Sequence, residues 1–282
     1  MSMMIDKPVC RAMRLEEADD LAGLLAAAYG RPQYAPTVAR LSGMPNATIH
    51  VLEAGGALRA AAALVDYGGI AYLGIVGTDP AAQGRGFGRQ VVETALASVP
   101  AGTTILLDAS VAGAPLYEKL GFRDLDAAVV FEIRGSIAGP PLPDAAPFML
   151  SDLSAVAAYD AGIFGADRGT GLAALLRERA QGVICRRGGH IIGYGLRLAG
   201  RIGPVLADAP ETASALVAAL SAGLPDDPPT TIIVPSGNAP MQAYMRGYGA
   251  REDRRLRHMW RGGPHHPSDR SRIGAVASFH LG

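Results

Sequence analysis

The segment "AAQGRGFGRQVVETAL", residues 81–96, decides how the rest of the chain is interpreted. Three glycines alternate with other residues near its start, and apolar residues at helical spacing follow them. Glycine inside a helix costs roughly 1 kcal/mol relative to alanine. Glycines clustered at the start of a helix therefore indicate that the backbone there lies close to another group.

The surroundings of this loop favour a bound anion as that group. A strand-like segment, "AYLGIVGT" (71–78), precedes the loop, and a helix is predicted from about Gly86 to Ser98. The first N–H groups of a helix have no partner within it, and the helix dipole adds partial positive charge there. Because the glycines lack Cβ atoms that would hold an anion away, the loop is predicted to cradle a pyrophosphate.

Two common nucleotide-binding signatures do not fit the loop. A Walker A loop requires Gly-Lys-Ser/Thr, which the sequence lacks. A Rossmann fingerprint requires G-x-G-x-x-G, and Arg89 occupies its last position when the pattern starts at Gly84. Gln83, Gly86 and Gly88 instead resemble the Gln/Arg-x-x-Gly-x-Gly/Ala signature of the GCN5-related N-acetyltransferase (GNAT) superfamily. In that family the loop holds the pyrophosphate of acetyl-coenzyme A (acetyl-CoA); a glycine-rich turn without a ligand is the alternative.

The order of predicted elements supports the same resemblance. Residues 8–134 show a strand, two helices, three strands joined by glycine turns, the loop helix, a strand, a helix and a final strand. The order then repeats, and the helix-ending Gly121 and Gly249 lie 128 positions apart. The predicted fold class is α/β (α+β): two tandem GNAT folds, each a mixed, mostly antiparallel twisted sheet flanked by helices.

The predicted domains follow this repeat. They are an N-terminal GNAT domain (1–134), a Pro/Gly/Ala-rich linker without regular structure (135–147) and a C-terminal GNAT-like domain (148–282). Closing strands are predicted in "RLRHMWRG" (255–262) and "GAVASFHLG" (274–282).

The resemblance implies which residues would contact acetyl-CoA. In GNAT proteins the fourth and fifth strands separate, and the pantetheine arm pairs with the fourth strand, here at Val76, Gly77 and Thr78. The loop contacts would come from Gln83, Gly84, Arg85, Gly86, Phe87, Gly88 and Arg89. Ser110 stands where the family usually has an asparagine, so it would contact the cofactor arm or cap a helix.

The resemblance also implies a general acid. Relatives use a tyrosine in the helix after the fifth strand, and "SVAGAPLYEKLGF" (110–122) places Tyr117 there. Its hydroxyl would protonate the departing thiolate, and a purely structural core tyrosine is the alternative. The base stays open between His50, Asp66, Tyr72, Asp108 and a chain of water molecules. The expected activity is direct acetyl transfer to a primary amine of a small molecule or peptide; a non-catalytic acyl-CoA-binding or regulatory module is the alternative.

The second half lacks the predicted cradle. "IGPVLADAPETASAL" (202–216) aligns with the loop but has no alternating glycines. Asp208 and Glu211 would lie near the helix start, where carboxylates repel phosphate. Met245 stands in the place of Tyr117, so both cofactor binding and acid catalysis are predicted to be lost in this half.

The second half resembles the C-terminal domain of the YitH-like tandem acetyltransferases. The simplest role for this half is to support the fold. Three polar residues between its first two helices suggest a further role in recognising the acceptor: Asp160, Asp167 and Arg168. Capping of a helix N-terminus is the alternative for them.

Composition narrows the expected partners. A formal net charge of zero argues against nucleic acid. No uncharged apolar run is long enough for a bilayer, and the N-terminal stretch lacks the apolar core of a signal peptide, so a cytoplasmic protein without a membrane partner is expected. Cys10 and Cys185 are expected to be free thiols. No metal is expected, because the adjacent His265 and His266 lack metal-site spacing. Monomer and homodimer both stay open.

Overall fold

The computed structural model describes residues 7–32, 34–142, 144–263 and 268–282. Contacts divide the chain into two compact units. The first comprises residues 1–107 with 262–264, and the second comprises residues 108–261 with 265–282. Both units combine a mostly antiparallel sheet with flanking helices, which confirms the predicted fold class.

The first unit is built around one sheet with the strand order β1-β2-β3-β4-β5. Its elements are β1 (Val9–Ala12), α1 (Ala18–Tyr29), α2 (Ala35–Ser42), β2 (Ala47–Ala54), β3 (Ala57–Asp66), β4 (Ile70–Thr78), α3 (Phe87–Ala97) and β5 (Thr104–Ala109), of which the last two residues belong to the second unit. All neighbours are antiparallel except β4 and β5, which are parallel.

Helices α1 and α3 lie on opposite faces of β4. A Cβ built on Gly77 would lie 3.0 Å from Leu25 Cδ2 of α1, and one built on Gly88 of α3 would lie 2.9 Å from Thr78 Oγ1. Successive strand residues point to opposite faces, so Gly77 faces α1 and Thr78 faces α3. The end of β4 is therefore held between the two helices.

The second unit has the strand order β12-β6-β11-β10-β9-β8-β7, with β13 paired to β10. Its elements are α4 (Ala114–Lys119), β6 (Arg123–Ile133), β7 (Ala145–Pro147), α5 (Leu153–Phe164), α6 (Gly169–Arg177), β8 (Gln181–Arg187), β9 (His190–Leu198), β10 (Arg201–Ala207), α7 (Pro210–Ser221), β11 (Thr230–Pro235), α8 (Ala239–Gly247), β12 (Arg251–Arg261) and β13 (Ile273–Ala275). Buried residues of β6, β10, β11, α7 and α8 form its core cluster.

The predicted repeat of element order is confirmed, since β1 to β6 and β7 to β12 follow the same succession of strands and helices. The contact-defined units nevertheless divide at Leu107, because β6 pairs with β11 and β12 of the second half. The assignment of domains to residues 1–134 and 148–282 rests on the repeat and stays a prediction.

Two local predictions are wrong. The segment 135–147 is not wholly irregular, because its end forms the short strand β7 paired with β8. The closing strand predicted for residues 274–282 is reduced to β13, which spans Ile273–Ala275. After β13 the backbone turns, with Gly282 N donating to Ser278 O at 3.1 Å.

Candidate active site

Strand β4 extends beyond its pairing with β5 and is locally distorted there. Its pairing with β5 covers only Ile70–Tyr72, although β4 continues to Thr78. Its register with β3 shifts midway, and Ile75 there has φ 44°, an outlier for a β-branched residue. Strained backbone of this kind clusters at functional sites. The predicted pantetheine positions 76–78 thus lie on a stretch that has no β5 partner.

Tyr29, which the sequence did not single out, supports this part of β4. Its hydroxyl donates to the carbonyl oxygen of Val76 at 2.8 Å, and its ring stacks on Tyr34 with centroids 5.2 Å apart. The contact joins the end of α1 to the distorted part of β4. A tyrosine at the end of an amphipathic helix gives no sequence signal for such a long-range contact.

Each of the three alternating glycines is favoured at its position for its own structural reason. Gly84 and Gly86 have φ of 76° and 80°, which L side chains rarely adopt, and Gly86 is the N-cap of α3. Gly88 lies so close to Thr78 that a Cβ would crowd its hydroxyl. A Cβ at Gly84 would instead meet no atom within 4 Å, so the loop is open on that side.

The start of α3 presents unsatisfied donors. The backbone N–H groups of Phe87, Gly88 and Arg89 belong to its first turn, and they have no acceptor among the described residues. Helix N-termini with free N–H groups favour anions through both hydrogen bonding and the dipole. These donors suit a phosphate group.

Charged side chains flank the loop. Arg85 lies over the ring of Phe87, 4.9 Å from its centroid, whereas Arg89 donates to Glu93 at 2.9 Å. Gln83, Arg85 and Arg89 are exposed. Both arginines are therefore in reach of solvent anions, although Arg89 shares its charge with Glu93.

The entry to the loop is fixed by Asp79. Its carboxylate accepts from the N–H of Ala81 at 2.9 Å and from Arg59 at 2.6 Å. These two hydrogen bonds hold the pKa of Asp79 below its usual value, so the group stays ionised. The backbone between β4 and the glycines is thereby anchored.

Tyr117 lies in α4 of the second unit. Its ring is buried and meets Phe122 edge to face at 5.8 Å. Its hydroxyl has no hydrogen-bond partner among the described residues. The hydroxyl oxygen is not fully buried, so it can still be reached from outside. Burial raises the pKa of Tyr117, so the hydroxyl keeps its proton at neutral pH. A buried ring with an unengaged, proton-bearing tip suits an acid.

Ser110 lies just before the same helix. Its Oγ accepts from the N–H of Gly113 at 3.1 Å, while its backbone oxygen accepts from Ala114 N at 2.9 Å. The side chain is exposed. The Ser110 side chain thus closes a local turn before α4, whose N-cap is Gly113, and its hydroxyl stays accessible to solvent.

The structure separates the candidate bases. Tyr72 is buried, Asp66 accepts from the N–H of Gly68 at 2.9 Å, and His50 is buried with an unpaired Nε2. Burial lowers the pKa of His50. None of these observations on the three residues shows a path for a proton, so the general base stays unassigned.

Asp108 has a partner that the sequence did not predict. Its Oδ1 lies 2.9 Å from Nδ1 of His258, and both side chains are almost completely buried. Burial is the main cause that lowers the pKa of His258. The two residues are 150 positions apart, so only the pairing of distant strands brings them together.

The counterpart of the loop in the second half has proline and acidic residues in place of the alternating glycines. Pro210 occupies the first turn of α7 and has no N–H, and Glu211 follows it. Just before the helix, Asp208 accepts from the Tyr159 hydroxyl at 2.8 Å and also pairs with Arg272. Acidic residues thus flank the start of α7, where α3 is preceded by glycines, and Met245 is buried in the core.

The predicted acceptor residues of the second half need correction. Arg168 donates to both oxygens of Asp160, at 2.9 and 2.7 Å, and Tyr194 donates to the same carboxylate. Asp160 and Arg168 are 0% and 3% exposed, so neither reaches an acceptor. Asp167 is exposed, but it accepts from the N–H of Gly169 at 2.7 Å, the predicted alternative of a local cap.

Metal and membrane signals are absent from the described part of the chain. No group of three or more His, Cys, Asp or Glu residues there could hold a metal ion, and His265 and His266 lie outside the described residues. No described helix combines the length and apolar character needed to cross a bilayer. Cys10 and Cys185 do not form a disulfide.

Comparisons with known proteins agree with this geometry. Two family models match, each described as an acetyltransferase (GNAT) domain, over residues 45–124 and 156–275. The chain is 28% identical over 194 residues to the uncharacterized N-acetyltransferase YitH of Bacillus subtilis, covering 66% of this chain and 68% of that protein.

Two solved structures share the fold along nearly the whole chain. A putative acetyltransferase from Pyrococcus horikoshii has a TM-score of 0.81 at 22% identity, covering 98% of this chain and 96% of its own. A tandem GNAT protein from the clavulanic acid biosynthesis pathway has a TM-score of 0.59 at 14% identity, covering 92% of this chain and 100% of its own. At these identities the likeness concerns the fold alone.

Proposed function

This chain is a tandem GNAT acyltransferase, and we propose that it moves an acetyl group from acetyl-CoA directly to a primary amine of a small molecule or peptide. The observation that carries the proposal is the asymmetry between the repeats. The first has glycines and free N–H groups at the start of α3, whereas the second has Pro210 and Asp208 at the start of α7. One repeat is therefore suited to a pyrophosphate and the other is not.

The proposed cofactor contacts follow the local geometry of the first unit. The N–H groups of residues 84–89 would hold the pyrophosphate, and Arg85 and Arg89 would add charge. The backbone of Val76–Thr78, free of β5, would pair with the pantetheine arm. Bound acetyl-CoA would supply a thioester as the acetyl donor, and no metal is required.

The proposed chemistry needs two proton events. The neutral amine nitrogen attacks the thioester carbonyl, the carbon–sulfur bond breaks, and the amine loses a proton to water or to a base. Tyr117 gives its proton to the departing thiolate. The raised pKa of Tyr117 keeps that proton in place until the transfer. We assign the acceptor no binding residue in the second half, because Asp160 and Arg168 are enclosed.

The test is thiol release from acetyl-CoA across polyamines, amino acids, aminoglycosides and peptides. We expect release above the acceptor-free rate with at least one amine class, and its loss in Gly86→Glu, which places a negative charge in the cradle. Gly68→Glu is the matched control, because Gly68 has a similar φ of 77° but lies just before the start of β4, whereas the glycine loop follows its end. Binding of acetyl-CoA without release on any amine would instead favour a non-catalytic acyl-CoA-binding module.

A further inference from the structure

The gap of the second half between β10 and β11, the counterparts of β4 and β5, is filled by the chain itself. Direct pairing of β10 with β11 covers only Arg201 and Ile202. Beyond that point β13 runs antiparallel to β10, with Val205 opposite Ala275. On the other side, Val276 N donates to Ile233 O of β11 at 2.9 Å. The segment 271–282, here called the gap-filling segment, thus bonds to both strands.

The strand beside the segment is shaped for close backbone approach. Gly203 in β10 has φ 147°, and a Cβ there would lie 2.2 Å from the carbonyl oxygen of Val276. No side chain fits at that distance without displacing the segment. A glycine at this position is therefore required by the occupant of the gap rather than by β10 alone.

Asn238 lies between β11 and α8 and also binds the gap-filling segment. It stands at the position where the GNAT resemblance expects an asparagine that contacts the cofactor arm. Here its Oδ1 caps α8 by accepting from Met241 N at 3.0 Å. Its Nδ2 donates to Ser271 O at 2.8 Å and to Ile273 O at 3.0 Å. The side-chain amide therefore binds a peptide backbone.

The far end of the segment is anchored by the enclosed ion pair. Besides holding Asp160, Arg168 donates to the backbone oxygen of Gly282 at 2.6 Å. Ile273, Ala275 and Val276 are at most 3% exposed, so the segment is part of the core. Arg168, which the sequence suggested for acceptor recognition, thus binds the backbone of the segment.

We propose that the cofactor gap of the second repeat has become a peptide-binding groove, with the gap-filling segment as its occupant. An extended polypeptide pairs there with β10 in the way that a pantetheine arm is expected to pair with β4. The groove is occupied without any ligand, so the second repeat folds closed and takes no acetyl-CoA. This inference rests on the family and on the contacts of the second unit, not on the proposed acetyl transfer.

Hydrogen exchange of the full chain, followed by mass spectrometry, tests the groove. Asn238→Ser keeps a side-chain oxygen that can cap α8 but removes both Nδ2 hydrogen bonds to the segment. We expect exchange in residues 271–282 to rise on the order of 10- to 100-fold, since two hydrogen bonds are lost. Ser214→Ala, which removes an exposed hydrogen bond of α7, is the control and should leave the segment unchanged. Unchanged exchange in Asn238→Ser would overturn the proposal.

A disulfide cross-link tests the same groove if Asn238→Ser does not fold. Val205→Cys and Ala275→Cys lie opposite each other in the ladder, at a separation suited to a disulfide. We expect peptide mapping to find this bond in the full chain, with acetyl-CoA binding retained. Failure of the bond to form, or loss of acetyl-CoA binding on locking the segment, would overturn the inference. Hydrogen exchange and disulfide mapping need neither acetyl-CoA nor acetyl transfer, so these readouts separate this inference from the proposed function.

Discussion

Replacing Tyr117 with phenylalanine separates proton donation from packing. The ring is buried against Phe122, and both features survive the substitution. Because the hydroxyl has no partner among the described residues, its removal leaves no described group unsatisfied, and the free energy of unfolding should change by less than about 0.5 kcal/mol. Loss of a positioned acid lowers kcat by roughly 10²- to 10⁴-fold, or about 2.7–5.4 kcal/mol in activation free energy.

The assay is thiol release at saturating acetyl-CoA, with an acceptor for which chemistry limits turnover, together with urea unfolding. We expect Tyr117→Phe to lose kcat while its acetyl-CoA affinity and unfolding midpoint stay unchanged. Because burial raises the pKa of Tyr117, this group should cause no alkaline fall in wild-type kcat below about pH 10. A wild-type kcat in the variant would refute the role, and a large loss of stability would refute the description of the hydroxyl as unengaged.

Three further perturbations test other parts of the molecule. Gly88→Ala should weaken acetyl-CoA binding about tenfold, because its Cβ would lie 2.9 Å from Thr78 Oγ1 and shift the start of α3; unchanged calorimetric affinity would contradict this. Asp160→Asn should lower the free energy of unfolding by roughly 3–5 kcal/mol in urea titrations, because Arg168 loses its buried counter-charge; a raised acceptor KM at unchanged stability would argue for acceptor binding instead. Because burial lowers the pKa of His50, the neutral ring contributes stability above its ordinary pKa of 6.5, and this stability is lost as pH falls through the folded-state pKa. The Tm of His50→Gln should therefore fall less steeply with acidification than the Tm of the wild type. Parallel Tm profiles would contradict this expectation.

The loop was predictable because its chemistry is local. Positive φ at Gly84 and Gly86 and close packing at Gly88 each require glycine, so the sequence itself carries the pattern. The distortion of β4 was not predictable, since isoleucine at position 75 gives no sign of a left-handed backbone. The contact of Tyr29 with β4 likewise depends on tertiary packing.

The second half shows where sequence reasoning reaches its limit. Loss of the cradle could be predicted from Asp208 and Glu211, because charge near a helix start is a local property. The roles of Asp160 and Arg168 could not, since polar residues between two helices fit a solvent-facing site as well as a buried pair. Their role depends on the backbone oxygen of Gly282, more than a hundred residues later. The pairing of β13 with β10 holds the segment that leads to Gly282, whose oxygen Arg168 contacts.

Calorimetric titration of acetyl-CoA into the full chain shows how many of the two GNAT repeats hold the cofactor. We expect one site per chain, which is lost in Gly86→Glu and retained in Gly68→Glu. Two sites per chain, or undiminished affinity in Gly86→Glu, would contradict it.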